Sequence, residues 1–485
     1  MAAFRPWTRG PLDLGPTMRI AFIRPLAAIN RHACNVPLAY IHLAAYLRAC
    51  GHQGDILDMV LEGVTPAAVD DFIRRNGIRV AGIGCMTCEL PEALAEARRL
   101  KQAHLGIMVV MGGAHPSAAP EDCLADGAAD YVVAGEGEIA LAQLLTALES
   151  GGDPASIPGV WAVRNGTVLR NAPAPAPDIE ALPTPAYDLL DLEKYFRLDT
   201  PWHFPKSNRV VQMITSRGCP YRCSYCHTIH GKKYRGLDPE KVLNQIEWLA
   251  RAQGVEEFLI VDDIFNFELE RAKRICRGIV DRRLKVHLQF PNGLRGDRLD
   301  EELMALMAKA GTHFLSIAIE TASERYQKLI RKNLQVEKAI EAAGWARRCG
   351  IEVCGFFMIG FPNETLEEAE RTIRLALQAP FDSILISIAT PFKGTELRDD
   401  VRNGRFGEME PEALEALDRL FPVVPSTSLP PDMLRRLQRH AYWRFYLRPR
   451  PMWNLAKRLT NRRNLRKLIR AIRIRTIQDD VTAFN

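Results

Sequence analysis

The sequence predicts an α/β protein in three parts: a doubly wound parallel sheet, a partial barrel of six βα units, and a mostly helical C-terminal region. Short apolar runs alternate with amphipathic stretches over residues 17–151 and again over 206–397. This alternation is typical of parallel sheets joined by crossover helices. The alternation stops after residue 397, so we expect residues 398–485 to be helical.

The first part, residues 17–151, is predicted to be a Rossmann-like, doubly wound domain. Its predicted strands are 18–23, 80–84, 107–111 and 129–134, and its predicted helices are 36–49, 91–104 and 137–148. Such sheets bind ligands beyond the carboxyl ends of their strands. Glycine-rich turns follow three of these strands, at 84–87, 112–116 and 135–138. They indicate either a large ligand or ordinary connectors.

A proline-rich stretch, residues 152–205, is predicted to be an extended linker. It is followed by the second strand–helix repeat, residues 206–397. The predicted strands of this repeat are 210–214, 257–261, 286–290, 314–319, 353–359 and 384–388, and the predicted helices are 239–253, 269–282, 300–310, 336–349 and 366–378. Six such units form a partial, TIM-like (βα)6 barrel, whose chemistry lies at the carboxyl ends of its strands.

The composition indicates a folded, cytoplasmic protein. The chain has 485 residues, 47% of them hydrophobic and 25% charged, which excludes a disordered chain or a fibre. Its 11 cysteines are too dilute for a disulfide framework. We find neither a signal peptide nor a window of ~18 apolar residues that would span a bilayer. The cysteines are therefore expected to be free, catalytic or metal-bound.

The charge is concentrated near the C-terminus. Residues 435–475 contain 15 Lys or Arg and no Asp or Glu, so removing them from the net charge of +6 leaves the rest of the chain at −9. Within this segment, Leu465, Leu468, Ile469 and Ile472 recur at helical spacing among basic residues. Such a helix either contacts a membrane surface or packs on the barrel with solvated arginines. No motif favours a nucleic-acid partner.

The motif that carries the chemistry follows the first barrel strand. It reads Gly218-Cys219-Pro-Tyr-Arg-Cys223-Ser-Tyr-Cys226-His227. Three thiolates within eight residues are ligands for zinc or for an iron–sulfur cluster. A zinc site needs a fourth ligand, and His230 could supply it. A [4Fe–4S] cluster with one open iron is the alternative, and the position at a barrel mouth favours it.

This CxxxCxxC motif, with an aromatic residue before its last cysteine, resembles that of the radical S-adenosylmethionine superfamily. The resemblance implies a [4Fe–4S] cluster on Cys219, Cys223 and Cys226, whose open iron binds S-adenosylmethionine. Reductive cleavage would then give a 5′-deoxyadenosyl radical. Segments at the later strand ends resemble the family's contacts to this cofactor. The implied contacts are Tyr225, Asp262, Asp263, Glu320, Met358, Gly360 and Pro391.

The first part resembles the cobalamin-binding domain found upstream in one subclass of that superfamily. The segments that carry this resemblance are 111–117 and 130–138. The implied cobalamin contacts are Thr87, Gly113, His115, Pro116, Gly135, Glu136 and Gly137. The DxHxxG pattern that supplies a cobalt ligand in methionine-synthase-like domains is absent, so no protein ligand to cobalt is predicted.

The two resemblances together imply a cobalamin-dependent radical methyltransferase. Its substrate would be an unactivated carbon, or a phosphinate phosphorus, of a small molecule or lipid. Three alternatives remain open: ring contraction or oxidative cyclisation without methyl transfer, methylthio transfer, and a non-enzymatic cobalamin or redox sensor. Methylthio transfer would require a second cluster near Cys85 and Cys88, which otherwise are expected to be buried as small hydrophobes.

The expected partners follow from the same resemblance. We expect flavodoxin or ferredoxin as the electron donor and no nucleic acid. We expect a cytoplasmic location, and peripheral contact with the inner face of the membrane through the basic C-terminal segment stays open as one of the two interpretations given above. Catalytic side chains beyond the cofactor contacts are not assigned by the sequence.

Overall fold

A computed structural model of the chain describes residues 18–27, 35–199, 205–227, 229–406 and 429–459. In the first half, strands β1–β7 are Arg19–Arg24, Gln53–Asp58, Val80–Gly84, Met108–Gly112, Tyr131–Val133, Val160–Arg164 and Thr167–Arg170. Helices α1–α7 are Leu38–Ala49, Pro66–Asn76, Leu90–Ala103, Ala114–Ala118, Pro120–Leu124, Gly137–Ser150 and Leu192–Phe196.

The second half contains eight further strands and nine further helices among the described residues. Strands β8–β15 are Val210–Met213, Ser216–Arg217, Arg235–Gly236, Glu257–Ile260, His287–Leu294, Thr312–Glu320, Glu352–Ile359 and Ser383–Ile388. Helices α8–α16 are Pro239–Ala252, Leu269–Asp281, Glu301–Lys309, Glu324–Leu329, Val336–Arg348, Leu366–Gln378, Glu396–Arg402, Pro431–Tyr446 and Pro449–Leu459.

The first sheet is doubly wound, as predicted. Its strand order is β2-β1-β3-β4-β5-β6-β7, and β1 to β5 run parallel. Successive residues of β1 belong to different cores: Ile20 and Phe22 pack with residues of α1 and α6, and Ala21 and Ile23 pack with residues of α2 and α3. Both faces of the sheet are therefore covered, which leaves the strand ends as the accessible edge.

Several elements of the first half were not predicted. Strand β2 was missed because it carries Asp55 and Asp58, which are rare in strands; each pairs with an arginine of β1 in the structure. The helix α2 that follows β2 was missed as well. The prediction of a linker without regular structure over 152–205 is wrong in its first part, because β6 and β7 add two antiparallel strands to the sheet.

The second sheet confirms the partial barrel. Its six strands β8, β11, β12, β13, β14 and β15 are neighbours in chain order and all run parallel. All five helices predicted between these strands are present as α8, α9, α10, α12 and α13. Parallel order with crossover helices places every strand's carboxyl end at one mouth.

Helix α15 covers the last strand of the barrel. The Gln438 amide donates to the Ile386 carbonyl at 2.6 Å, and the Ile386 amide donates to the Tyr442 hydroxyl at 3.0 Å. These side chains satisfy backbone groups of an edge strand that would otherwise stay unpaired. The predicted basic segment at 465–472 lies outside the described residues. Within the described part of the chain, no helix combines the length and apolarity needed to cross a membrane.

Candidate active site

The cysteine motif lies on a loop whose two ends are held together. Strand β9 pairs antiparallel with β10, so that Arg217 lies opposite Arg235 on either side of the loop. The loop then turns sharply at Gly218, whose φ is +85° and where an added Cβ would lie 2.2 Å from the Lys233 carbonyl oxygen. Only glycine allows this conformation and this close approach together.

The three thiols of the loop lie within one another's electrostatic field. Desolvation raises the pKa of Cys219, and the neighbouring Cys223 raises it further. Desolvation, followed by the charges of Cys223 and Cys219, raises the pKa of Cys226 to about 11. Cys226 is exposed, and the charges of its two neighbours disfavour its thiolate. A cationic group bound among the thiols would remove this repulsion.

The cysteine loop offers three thiols as ligands, at Cys219, Cys223 and Cys226. His230, the fourth ligand considered for zinc, contacts the Asp263 carboxylate through Nδ1 at 2.8 Å. The donor set therefore fits an iron–sulfur cluster, for which thiolate is the usual ligand.

Next to this loop, Tyr225 and Glu320 meet a lysine that the sequence did not single out. The Tyr225 hydroxyl donates to Glu320 Oε1 at 3.1 Å, and Lys332 Nζ lies 3.3 Å from the same oxygen. Burial, and then the Glu320 charge, raise the pKa of Tyr225, so its hydroxyl stays protonated. The Glu320 side chain is therefore buried and held by two donors at the end of β13.

The backbone at Glu320 is strained. Its φ is +72°, and the pairing of β13 with β14 shifts register between Ala318 and Glu320. A non-glycine residue in this region of φ is uncommon and is found most often at functional sites. The shift in register turns the Glu320 side chain toward the cysteine loop, where Tyr225 lies.

A cavity of about 580 Å³ lies between the two sheets. The first sheet contributes glycine-rich strand ends to its wall: Gly84, Gly112, Gly113, Gly135 and Gly137. The barrel contributes Gln212, Ile214, Arg217, Ile229 and His230. Arg217 and His230 belong to the base of the cysteine loop, so the cavity and the loop share a wall.

Comparison with known proteins agrees with this geometry. Residues 213–376 match the family model of the radical SAM superfamily, and residues 26–145 match that of the B12 binding domain. An uncharacterised methyltransferase of Pyrococcus horikoshii is 31% identical over 85% of this chain and 88% of its own length. The chain belongs to the cobalamin-binding radical S-adenosylmethionine enzymes. The expected cofactors, S-adenosylmethionine, a [4Fe–4S] cluster and cobalamin, are those of this family.

Two other relatives are named for different reactions. The cytidylyl-2-hydroxyethylphosphonate methyltransferase of Streptomyces wedmorensis is 29% identical over 80% of this chain and 82% of its own length. The anaerobic magnesium-protoporphyrin IX monomethyl ester cyclase of Rubrivivax gelatinosus is 28% identical over 83% of this chain and 76% of its own length. The solved radical methyltransferase TsrM from Kitasatospora setae shares the fold, with a TM-score of 0.66 and 20% identity over 82% of this chain and 76% of that one.

The structure divides the predicted S-adenosylmethionine contacts into two groups. Tyr225 and Met358 pack against one small apolar cluster, and Tyr225 also contacts Glu320. Asp262 is instead enclosed: it accepts from the Thr215 amide and hydroxyl at 2.6 Å each, and burial raises its pKa. The Asp262 side chain thus joins the ends of β8 and β11, and its contact with S-adenosylmethionine stays a prediction.

Three further predicted contacts shape the barrel mouth. Burial alone would raise the pKa of Asp263, but its bonds to His230 and the Gly218 amide lower it. It therefore supports the cysteine loop as an anion. Gly360, with a φ of +82°, follows β14 and lies so close to Leu434 that an added Cβ would be 2.8 Å from that side chain. Pro391 is buried just beyond β15.

Four of the seven predicted cobalamin contacts line the cavity, namely Gly113, Gly135, Glu136 and Gly137. The other three do not belong to its lining. The buried His115 ring lies 3.2 Å from the Thr87 hydroxyl and 3.1 Å from Asp122, and the adjacent Pro116 is buried as well. Both ring nitrogens of His115 thus contact loop side chains, and its contact with cobalamin stays a prediction.

The sequence analysis predicted Glu136 in this cavity wall but missed its neighbours Arg217, Glu138 and His42. Arg217 donates to Glu136 and to Glu138, each at 2.7 Å, and all three side chains are at most 5% exposed. Near them, desolvation and then the Arg217 charge lower the pKa of His42 to about 3, so His42 faces the cavity as a neutral imidazole. The run of alternating Gly and Glu over 135–138 was the only local signal.

The cysteines of the possible second cluster behave differently. Cys85 is 5% exposed and packs in the core of the first sheet. Burial raises the pKa of both Cys85 and Cys88. These thiols have the surroundings of small core residues.

Proposed function

We propose that this enzyme is a cobalamin-dependent methyltransferase that acts on an unactivated carbon, or a phosphinate phosphorus, of a small molecule or lipid. The observation that carries the proposal is the wall shared by the cavity and the cysteine loop. A methyl donor and a radical source must both reach the same substrate atom, and their proximity lowers the cost of finding that geometry. The names of two relatives, both methyltransferases, agree with it.

Separate groups of residues would hold the three cofactors. Cys219, Cys223 and Cys226 would hold the cluster, and Tyr225 with Glu320 would orient S-adenosylmethionine beside it. Cobalamin would lie in the cavity against the glycine-rich strand ends, with Gly113 and Gly137 allowing close approach. When bound, these cofactors supply a radical that removes a substrate hydrogen and a methyl group to replace it.

A second candidate function is oxidative cyclisation with the same cofactors. The relative that favours it is the magnesium-protoporphyrin IX monomethyl ester cyclase, which matches 83% of this chain. Both reactions need the same cavity and the same cysteine loop. Only the product distinguishes them: methylation adds one methylene unit to the substrate mass, whereas cyclisation removes hydrogen.

The test uses the full chain reconstituted with iron, sulfide and cobalamin without oxygen. Cell extract is supplied with S-adenosylmethionine that carries a deuterated methyl group, and with flavodoxin or ferredoxin as the electron donor. We expect 5′-deoxyadenosine and a small molecule or lipid that has gained deuterium. Absence of 5′-deoxyadenosine would overturn the assignment of the radical, and a product without the label would favour cyclisation.

Matched cysteine variants complete this test. Cys219→Ala should lose the cluster absorption and all 5′-deoxyadenosine formation. Cys50→Ala should lose neither, because Cys50 is exposed at the end of α1, away from the strand ends. Equal loss in both variants would show that the effect comes from general damage to the fold.

A further inference from the structure

Helices α15 and α16 present large apolar side chains to solvent. Trp443, Leu447, Met452 and Trp453 are 68%, 64%, 52% and 61% exposed. The opposite face of α15 packs on the barrel, because Leu434, Ala441 and Phe445 are buried in the barrel core. Two exposed tryptophans on successive helices, Trp443 on α15 and Trp453 on α16, are unusual for a surface in water and indicate a contact site.

Basic side chains extend the same face of α15. Arg436, Arg439, Trp443 and Leu447 follow one another at intervals of three or four residues, so they form one stripe on the helix. Arg436 and Arg439 are exposed. These residues open the segment 435–475, which contains 15 Lys or Arg and no Asp or Glu. On the described helix α15, Arg435 and Arg444 are exposed as well, so exposed basic side chains lie beside the apolar ones.

This surface lies away from the cofactor site. Leu434, near the start of α15, contacts Gly360 at the barrel mouth. The other end is tied to the base of the barrel, where Arg450 pairs with Asp382, next to the first residue of β15, at 3.0 Å. Trp443, Leu447, Met452 and Trp453 thus belong to the base, and a partner bound there would leave the mouth open.

We propose that this face is a membrane-docking surface that binds bilayers containing anionic lipids. Tryptophan prefers the interface between headgroups and acyl chains, and arginine is drawn to anionic headgroups. A second copy of the chain does not fit the surface, because a symmetric contact would bring the two cationic stripes together. The proposal does not depend on the reaction that the enzyme catalyses.

The test is sedimentation of the full chain with sucrose-loaded vesicles. One set contains equal parts of phosphatidylglycerol and phosphatidylcholine, and the other contains phosphatidylcholine alone. We expect binding to the anionic set that weakens with added salt, and much weaker binding to the neutral set. Equal binding to both sets, or to neither, would overturn the proposal.

Variants then locate the binding surface. The triple variant Trp443→Ser, Leu447→Ser and Trp453→Ser should bind anionic vesicles about tenfold more weakly or worse, since burial of these side chains contributes to interfacial binding. The control is the double variant Leu105→Ser and Val163→Ser. It removes two apolar side chains of the Rossmann-like domain that are 99% and 45% exposed, and it should bind vesicles as the wild type does.

Two further readouts separate this proposal from the others. The triple variant should still form 5′-deoxyadenosine in detergent-free solution, because its residues are remote from the cysteine loop. Tryptophan fluorescence of the wild type should shift to shorter wavelength with anionic vesicles. If the triple variant instead keeps its vesicle binding and loses affinity for duplex DNA, the surface is a nucleic-acid site and the proposal is wrong.

Discussion

Glu320 has a backbone conformation that residues other than glycine rarely adopt. A carboxylate-bearing side chain takes a φ of +72° at a break in strand pairing, and it is held by Tyr225 and Lys332. Strain of this kind costs of order 1–3 kcal/mol. It persists here because the buried contacts fix the side chain, so Glu320 is held in one orientation beside the cysteine loop.

We predict that Glu320→Gln weakens binding of S-adenosylmethionine by about tenfold, the value of one charge-assisted hydrogen bond. Gln keeps the size of the side chain but loses the charge that Lys332 and the cofactor would meet. Calorimetric titration of the reconstituted protein would measure the change. The control is Glu324→Gln, an exposed position at the start of α11, which should bind as the wild type does.

Glu364 is a second carboxyl in an unfavourable position. It is 0% exposed, and its Oε2 accepts from the Gly360 and Phe361 amides. Burial raises its pKa from 4.5 to about 7. Between these values the folded state holds the proton more tightly than the unfolded state does. The stability from this proton is therefore complete below pH 4.5 and is lost as the pH rises through 7.

The substitution Glu364→Gln should remove this pH dependence. Relative to the wild type, we expect the free energy of unfolding of the variant to increase by about 3 kcal/mol from pH 4.5 to pH 7, because each pKa unit corresponds to about 1.4 kcal/mol. Thermal unfolding at a series of pH values would measure it. A constant difference between variant and wild type across this range would contradict the prediction, and the exposed Glu367→Gln serves as the control.

At the scale of elements, the cysteine loop depends on its first glycine. Gly218 meets the Lys233 carbonyl oxygen, whereas Gly231, with a φ of +72°, has nothing within 4 Å of an added Cβ. Gly218→Ala should therefore open the loop, lower iron content severalfold and reduce the melting temperature. Gly231→Ala should cost only the strain of a left-handed residue, about 1 kcal/mol.

Iron analysis and thermal unfolding of the two glycine variants would check this prediction. Similar iron content in both variants would show that the close approach at Gly218 is not needed for the loop. A large loss in Gly231→Ala would mean that backbone strain, rather than space, limits the loop. Because both glycines lie within the same loop, a general effect of position is controlled.

At the scale of the whole molecule, the Rossmann-like domain and the barrel meet through a buried group of ion pairs. Arg217 from the barrel pairs with Glu136 and Glu138 from the first unit, and Arg235 pairs with Glu136 as well. Burial alone would raise the pKa of Glu138, but the Arg217 charge lowers it overall. Removal of Arg217 would leave a buried carboxylate without compensation, which costs about 3–5 kcal/mol.

We therefore predict that Arg217→Met lowers the melting temperature strongly and loses cobalamin during gel filtration. The matched control is Arg48→Met, whose partner Asp188 lies 2.9 Å away in an ion pair with both side chains more than half exposed. That pair should contribute less than about 1 kcal/mol. If both variants behave alike, the buried cluster does not hold the two units together.

The helices and strands of the barrel were predictable because each has a clean apolar period. Strand β2 was not predictable, since its aspartates are tolerated in a strand only because they pair with the arginines of the neighbouring β1. Helix α15 was predictable only in part. Its amphipathic pattern is visible in the sequence, but the contacts of Gln438 and Tyr442 with β15 depend on where the helix docks.

Local information in the sequence was enough for the fold class and the family, and it singled out the three cysteines, because periodicity and the spacing within one loop are properties of neighbouring residues. Tertiary structure decided which strand ends border the cavity, that both ring nitrogens of His115 contact loop side chains, and that Lys332 joins Tyr225 and Glu320. Some of these contacts join residues about two hundred positions apart. They follow from a shift in strand register and from the packing of two sheets, which no local pattern encodes.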